Sequence, residues 1–179
     1  MNRRRTKHTS KRAPSGARIA ILRRIRVFAT DVDGVLTDAG MYYAESGEEL
    51  KKFNTRDGMG IKLLQAAGLV TAFVTKEKTA IVERRAAKLA VPEVHLGSED
   101  KRHVLQDLAT RHGCTLDEVA YVGDDVNDLD ALQAVGFSAA PADAIPAVKQ
   151  VVHYVCRKKG GEGAVRELAD MILAARAKR

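Results

Sequence analysis

Two aspartates one residue apart, Asp31 and Asp33, follow directly on the apolar run Ile25 to Ala29. Side chains alternate in direction along a strand, so two carboxylates at this spacing share a face and break the apolar pattern. The strand must end there, with Gly34 letting the chain turn away. Carboxyl ends of strands in an open α/β sheet are where ligands bind. A carboxylate pair at such an edge can hold a hard cation such as Mg²⁺, and one of the pair can attack phosphorus as a nucleophile. Asp-x-Asp-Gly also occurs in turns and calcium loops, but an EF-hand requires a Glu at the twelfth loop position. Counting from Asp31, that position is Tyr42, which excludes the calcium loop. Three further strand ends carry polar residues suited to phosphate chemistry: Thr75, the loop before Lys101, and Asp124-Asp125.

These residues are far apart in the chain, and the elements between them must bring them together. The expected strands are Ile25 to Ala29, Leu69 to Val74, Val94 to Leu96, Val119 to Val122, Ser138 to Ala140 and Tyr154 to Cys156. Helices are expected from Asp57 to Ala67, Thr79 to Leu89, Lys101 to His112, Leu129 to Val135, Ile145 to Gln150 and Ala164 to Ala175. Gly40 to Phe53 reads as a β-hairpin turning at Ser46-Gly47. Strands alternating with helices imply a parallel sheet with right-handed crossovers, and continuous apolar strands imply burial on both faces. Such a sheet delivers all its strand C-termini to one edge, where the four polar groups converge.

The length of 179 residues suits one domain. No apolar run approaches the ~20 residues of a membrane span. Two cysteines, Cys114 and Cys156, are too few for a disulfide framework and lack metal-site spacing, so thiols in a reducing, cytoplasmic setting are expected. The net charge of +7 is unevenly distributed: residues 1–26 hold ten Lys/Arg and no acid, leaving residues 27–179 at −3. Residues 1–24 are therefore expected to be a basic, disordered tail, with a single domain over residues 25–175. The tail is the only feature that favours nucleic acid, and no aromatic platform accompanies it, so a nucleic-acid partner is not expected.

The joint pattern resembles the haloacid dehalogenase superfamily of phosphotransferases. Asp31-Val-Asp33 matches its first motif, Thr75 its second, Lys101 its third, and Gly123-Asp-Asp-Val-Asn-Asp128 its fourth. The resemblance implies a three-layer, Rossmann-like α/β fold and Mg²⁺-dependent hydrolysis of a phosphomonoester. Asp31 would form an aspartyl-phosphate, while Asp33 protonates the leaving alkoxide and then activates water. Mg²⁺ would sit between the Asp31 carboxylate, the Asp33 main-chain carbonyl and Asp124. Thr75 and Lys101 would hold the phosphoryl oxygens. Asp125 and Asp128 would orient metal-bound water or Lys101.

Only 41 residues separate Asp33 from Thr75, and the hairpin plus one helix consume them, so no cap domain is expected. The hairpin, the segment Phe53-Asn-Thr-Arg-Asp-Gly58 and the tail Gly160 to Glu167 are similar to the phosphatases of 2-keto-3-deoxy sugar-acid phosphates. That family comprises the 3-deoxy-D-manno-octulosonate (KDO) 8-phosphate and the nononate (KDN) 9-phosphate enzymes. It implies a homotetramer joined through the hairpins with shared active sites, in which Thr55, Glu77, Lys88 and Arg166 contact substrate. Arg166 is the candidate for the substrate carboxylate. The octulosonate enzymes usually read Thr-Gly-Arg where this chain reads Thr75-Lys-Glu-Lys-Thr79. Glu77 and Lys88 are closer to the nononate enzymes, which favours the nine-carbon substrate; their alternative is a solvated helix face. Lys76 stands where the family has Gly, a substitution that matters if the position needs positive φ. The competing classes are a response-regulator-like domain and a non-catalytic module associated with sugar-nucleotide synthesis. The first would need neither Asp33 as acid/base nor the Gly123-Asp-Asp-x-Asn-Asp run; the second is open because similar domains occur fused to sugar cytidylyltransferases.

Overall fold

The computed structural model describes residues 15–177, except the side chains of Ser15 and Glu49. Strand β1 (Val27–Thr30) is central in a six-stranded parallel sheet of order β5-β4-β1-β6-β7-β8. The other strands are β4 (Val70–Val74), β5 (Glu93–His95), β6 (Val119–Val122), β7 (Phe137–Ala140) and β8 (Tyr154–Val155), and β1 pairs directly with β4 and β6. The chain runs outward from β1 to β4 and β5, then crosses back to β6 on the other side of β1. That reversal opens a crevice at the carboxyl end of β1, the usual place for a ligand in such sheets.

The sheet is a middle layer because its side chains alternate between two apolar clusters. Phe28 and Phe73 pack with α2 (Thr55–Ala66), α3 (Ala80–Leu89) and α7 (Ala164–Ala177) on one face. Val27, Ala29 and Tyr121 pack with α4 (Lys101–Arg111), α5 (Leu129–Ala134) and α6 (Pro146–Val151) on the other. No cap domain lies among the described residues. The antiparallel hairpin β2 (Tyr42–Ala44) and β3 (Gly47–Leu50) forms a separate two-stranded sheet, with a register shift between Tyr42 and Tyr43.

The structure corrects the expectation of a disordered tail over residues 1–24. Helix α1 spans Ser15–Arg24, and its Leu22 is only 1% exposed. Ile19 and Leu22 form an apolar stripe against α7, and Arg23 Nε donates to the carbonyl of Ala175 at 2.9 Å. In return, Arg176 Nη1 donates to the carbonyl of Ile25 at 2.7 Å. The arginine-rich composition conceals this stripe. The rest of the expected tail, residues 1–14, lies outside the described residues.

The glycine-rich Gly160 to Gly163 segment is pinned. Gly160 N donates to Asp143 Oδ1 at 3.0 Å, Gly161 N to the carbonyl of Val35 at 3.0 Å, and Gly163 N to Asp57 Oδ2 at 3.1 Å. A Cβ on Gly160 would overlap the Gly34 carbonyl, so glycine is needed there for close approach to the loop after β1. Asp57 also accepts from Arg166 N at 2.9 Å, capping α7 from α2.

Candidate active site

Asp31 is the last residue tied to the sheet: its N–H donates to the carbonyl of Val122 at 2.9 Å. Asp31 is 5% exposed, with its Oδ1 accepting from Val32 N at 2.7 Å and its Oδ2 lying 3.0 Å from Lys101 Nζ. Gly34, at φ 76°, carries the chain away; a Cβ there would overlap the Asp124 carboxylate. Glycine thus permits both the left-handed turn and the approach of the β1 and β6 loops.

Lys101 opens α4 and is almost sealed from solvent between Asp31 and Asp128, the latter at 2.7 Å. Burial alone would depress its pKa, but the two carboxylates hold it above the ordinary lysine value. Asp128 is fully buried. Its Oδ1 also accepts from Tyr121 OH at 2.7 Å, and its Oδ2 accepts from Asp124 N at 2.9 Å and Asp125 N at 3.3 Å. Both oxygens are therefore committed, and Asp128 fixes Lys101 and the β6 loop rather than presenting a free ligand. The Asp125 side chain accepts from Val126 N at 2.6 Å, capping the short turn Val126–Asp128.

The remaining acids are costly to keep charged. Burial, reinforced by Asp128, pushes Asp31 up to about 7 despite Lys101. Burial and the Asp31, Asp128 and Asp125 carboxylates push Asp124 up to about 8. One ligand atom from each of Asp31, Asp124 and Asp128 lies within 4.8 Å of the others, and Asp124 Oδ1 is buried without a hydrogen-bond partner. An acid cluster with an orphaned oxygen fits a hard divalent cation, whose charge would offset the repulsion.

A cavity of about 340 Å³ opens onto this cluster. Asp31, Asp33, Thr75 and Asp124 line it, together with the exposed Lys76 and Glu77. Thr75 is buried, with its N–H donating to the carbonyl of His95 at 3.0 Å and its Oγ1 accepting from Glu77 N at 3.2 Å. The only described non-glycine residues at positive φ are Ala39 and Ala90, so Lys76 replaces glycine without left-handed strain.

The structure thus brings Asp31, Asp33, Thr75, Glu77, Lys101 and Asp124 to one edge. Thr55, Lys88 and Arg166 do not line this cavity. Thr55 is exposed at the start of α2, and Lys88 is exposed in the last turn of α3, whose chain direction carries it away from the strand carboxyl ends. Arg166 lines a second cavity of about 270 Å³ with Arg56, Arg157 and Lys158, where its Nε pairs with Asp170 Oδ1 at 2.8 Å. Sequence reasoning missed Lys51, which donates to Asp33 Oδ1 at 2.6 Å, and Tyr121, whose hydroxyl holds Asp128. A charged residue within an expected hairpin gave no local signal of that partner.

Residues 75–168 match the model of the haloacid dehalogenase-like hydrolases. A KDO 8-phosphate phosphatase of Yersinia pestis is 42% identical over 154 residues, covering 86% of this chain and 82% of that protein. The solved structure of the Moraxella catarrhalis KDO 8-phosphate phosphatase, with magnesium, phosphate and KDO bound, has a TM-score of 0.88 and 35% identity, and the match covers 91% of this chain and 94% of that one. The cobalt-bound phosphatase of Haemophilus influenzae has a TM-score of 0.86 and 43% identity, with 88% and 92% covered.

Proposed function

Because the chain belongs to the haloacid dehalogenase-like hydrolases, in the family of the KDO 8-phosphate phosphatases, we propose that it is a metal-dependent phosphomonoesterase acting on KDO 8-phosphate. The observation that carries this reading is the buried Asp31, flanked by Lys101 and by the orphaned Asp124 carboxylate at the floor of an open cavity.

Asp31 Oδ attacks phosphorus, and the ester P–O bond breaks as an aspartyl-phosphate forms. Asp33 gives a proton to the departing alkoxide. It then takes one from the water that attacks the intermediate, releasing phosphate and restoring Asp31. Lys101 and Thr75 hold phosphoryl oxygens, and Asp128 keeps Lys101 in line through its ion pair. The Asp31 and Asp124 carboxylates and the Asp33 main-chain carbonyl would hold Mg²⁺. Once bound, Mg²⁺ would supply positive charge against the transferring phosphoryl group.

A nine-carbon acid remains the second reading, on one observation: Glu77, the residue similar to the nononate enzymes, lines the cavity. Lys88 gives that reading no support within one chain. The open cavity and the exposed Tyr42 and Tyr43, 60% and 67% accessible, favour a homotetramer in which the hairpins pair. In that assembly Thr55 and Arg166 contribute to a neighbour's pocket. Cys114 and Cys156 are free thiols, in keeping with a cytoplasmic enzyme, and no described helix is long and apolar enough to cross a membrane.

The test is phosphate release from KDO 8-phosphate, KDN 9-phosphate and p-nitrophenyl phosphate, with Mg²⁺ or with EDTA. Metal-dependent turnover with the highest kcat/KM on KDO 8-phosphate is expected. Preference for KDN 9-phosphate would establish the second reading, and no release from any ester would return the chain to the non-catalytic modules.

A further inference from the structure

Lys51 belongs to the hairpin side of the molecule, yet its side chain is completely buried. Its Nζ lies 2.6 Å from Asp33 Oδ1 and 3.2 Å from Glu48 Oε1. Burying an ammonium is unfavourable unless it is paired, and here two carboxylates from different parts of the fold pair it. Desolvation alone would lower its pKa, but Asp33 and Glu48 raise it, so the residue stays charged. Asp33 Oδ2, by contrast, is buried with no hydrogen-bond partner. The ladder of β2 and β3 shares no strand pairing with the central sheet. Polar ties to the loop after β1 run instead through Lys51 to Asp33 and through Lys52 Nζ to Asp38 Oδ2, the latter at 2.6 Å on the exposed surface.

We propose that Lys51 is a positioning residue for Asp33: it occupies one carboxylate oxygen, leaves the other to exchange the proton, and so couples proton transfer to the seating of the hairpin. The inference rests on the acid/base reading of Asp33 given above. In the first half-reaction the proton passes from Asp33 Oδ2 to the ester oxygen as the P–O bond breaks. In the second it passes from water to Oδ2 as water attacks phosphorus. With Lys51 braced by Glu48, the carboxylate plane is fixed before substrate arrives, which is the condition for efficient general acid catalysis. Without Lys51 the group is still present, but its orientation is not.

The test exploits the leaving group. An alkoxide needs a proton as it departs, whereas p-nitrophenolate leaves without one. Lys51→Met keeps the aliphatic stem and removes the charge. It should lower kcat on KDO 8-phosphate by about 10²-fold, within the range that proton donation contributes, with KM moved less than about threefold. On p-nitrophenyl phosphate the pre-steady-state burst of p-nitrophenolate, which precedes the water step shared by both esters, should slow by less than about threefold. The double variant Lys51→Met/Glu48→Gln removes one of the carboxylates left unpaired, and should show the same selectivity with a higher melting temperature than the single variant. A p-nitrophenolate burst slowed in the double variant as much as kcat on KDO 8-phosphate, or no loss in either, would overturn the proposal. Asp33→Asn is the reference. If it is selective and the Lys51 variants are not, only the role of Lys51 fails. If Asp33→Asn slows the p-nitrophenolate burst as much as turnover of KDO 8-phosphate, the acid reading of Asp33 fails, and this proposal with it.

Discussion

Asp31, Lys101 and Asp128, at the carboxyl edge of the sheet, are almost closed to solvent, whereas Met41, Tyr42, Tyr43 and Leu50 stand exposed on the hairpin. Each region inverts the usual rule that charges lie outside and apolar groups inside. At the sheet edge the inversion is compensated within the chain: Lys101 bridges two carboxylates, and Asp128 has every oxygen engaged. On the hairpin, the exposed aromatic residues have no covering element among the described residues. The difference separates two tasks. In the proposed mechanism one chain assembles the reacting groups, and the proposed tetramer would enclose the substrate.

The sharpest way to break this division is at Asp31. Asp31→Asn keeps the shape and removes the attacking anion, so turnover should fall by several orders of magnitude while circular dichroism and the melting temperature are preserved. Near-normal turnover in the purified variant would remove Asp31 from its role.

Next in size is the hairpin. Tyr42→Ser/Tyr43→Ser should dissociate the assembly, as read by sedimentation velocity, and lower kcat/KM on the sugar phosphate at least ~10-fold through lost contacts. Hydrolysis of p-nitrophenyl phosphate should change little, because the reacting groups remain complete. A fully active monomer would dissolve the distinction between the two regions. Mixing Asp31→Asn with Arg166→Ala subunits sharpens the same point, since recovered activity above either parent requires sites built from two chains.

A smaller effect is expected from the metal. Burial, reinforced by neighbouring carboxylates, raises Asp31 to about 7 and Asp124 to about 8 despite Lys101. At a hundredfold excess over Kd, a ligand stabilises by about 2.7 kcal/mol. Mg²⁺ should therefore raise the melting temperature by about 5–10 °C for a chain of this size. Asp124→Asn should abolish most of that rise.

The smallest effect lies at the sheet's outer edge, where Glu93 meets Arg111 at 2.7 Å and His112 at 2.8 Å. Burial opposes ionisation, but these partners win and hold Glu93 down to about 2. Its folded pKa is below its unfolded value of about 4.5, so its contribution is complete above pH 4.5 and is lost as pH falls toward 2. Glu93→Gln should lower the melting temperature by about 2–4 °C at pH 7, with the difference shrinking below pH 4.5.

The alternation of apolar strands and helices, the interruption of that pattern at Asp31 and Asp33, and the polar residues at Thr75, Lys101 and Asp124 were all readable along the chain. They are local: a strand must end where two acids interrupt it, and a parallel sheet delivers such ends to one edge whatever the packing details. Lys51 was not readable, because its partner lies 18 residues away in the loop after β1, and nothing in Glu49-Leu-Lys-Lys-Phe53 distinguishes the buried lysine from the exposed one beside it. Helix α1 was hidden for a related reason: Ile19 and Leu22 count as a stripe only once α7 lies against them. Arg166 was readable as a charge but not as a neighbour of Asp170 and Asp57. Sequence alone determined which groups reach the edge, since strand direction is set by local side-chain pattern. The tertiary structure decided which of them are paired, buried or left orphaned, because those properties depend on contacts between segments that only packing brings within a few ångströms.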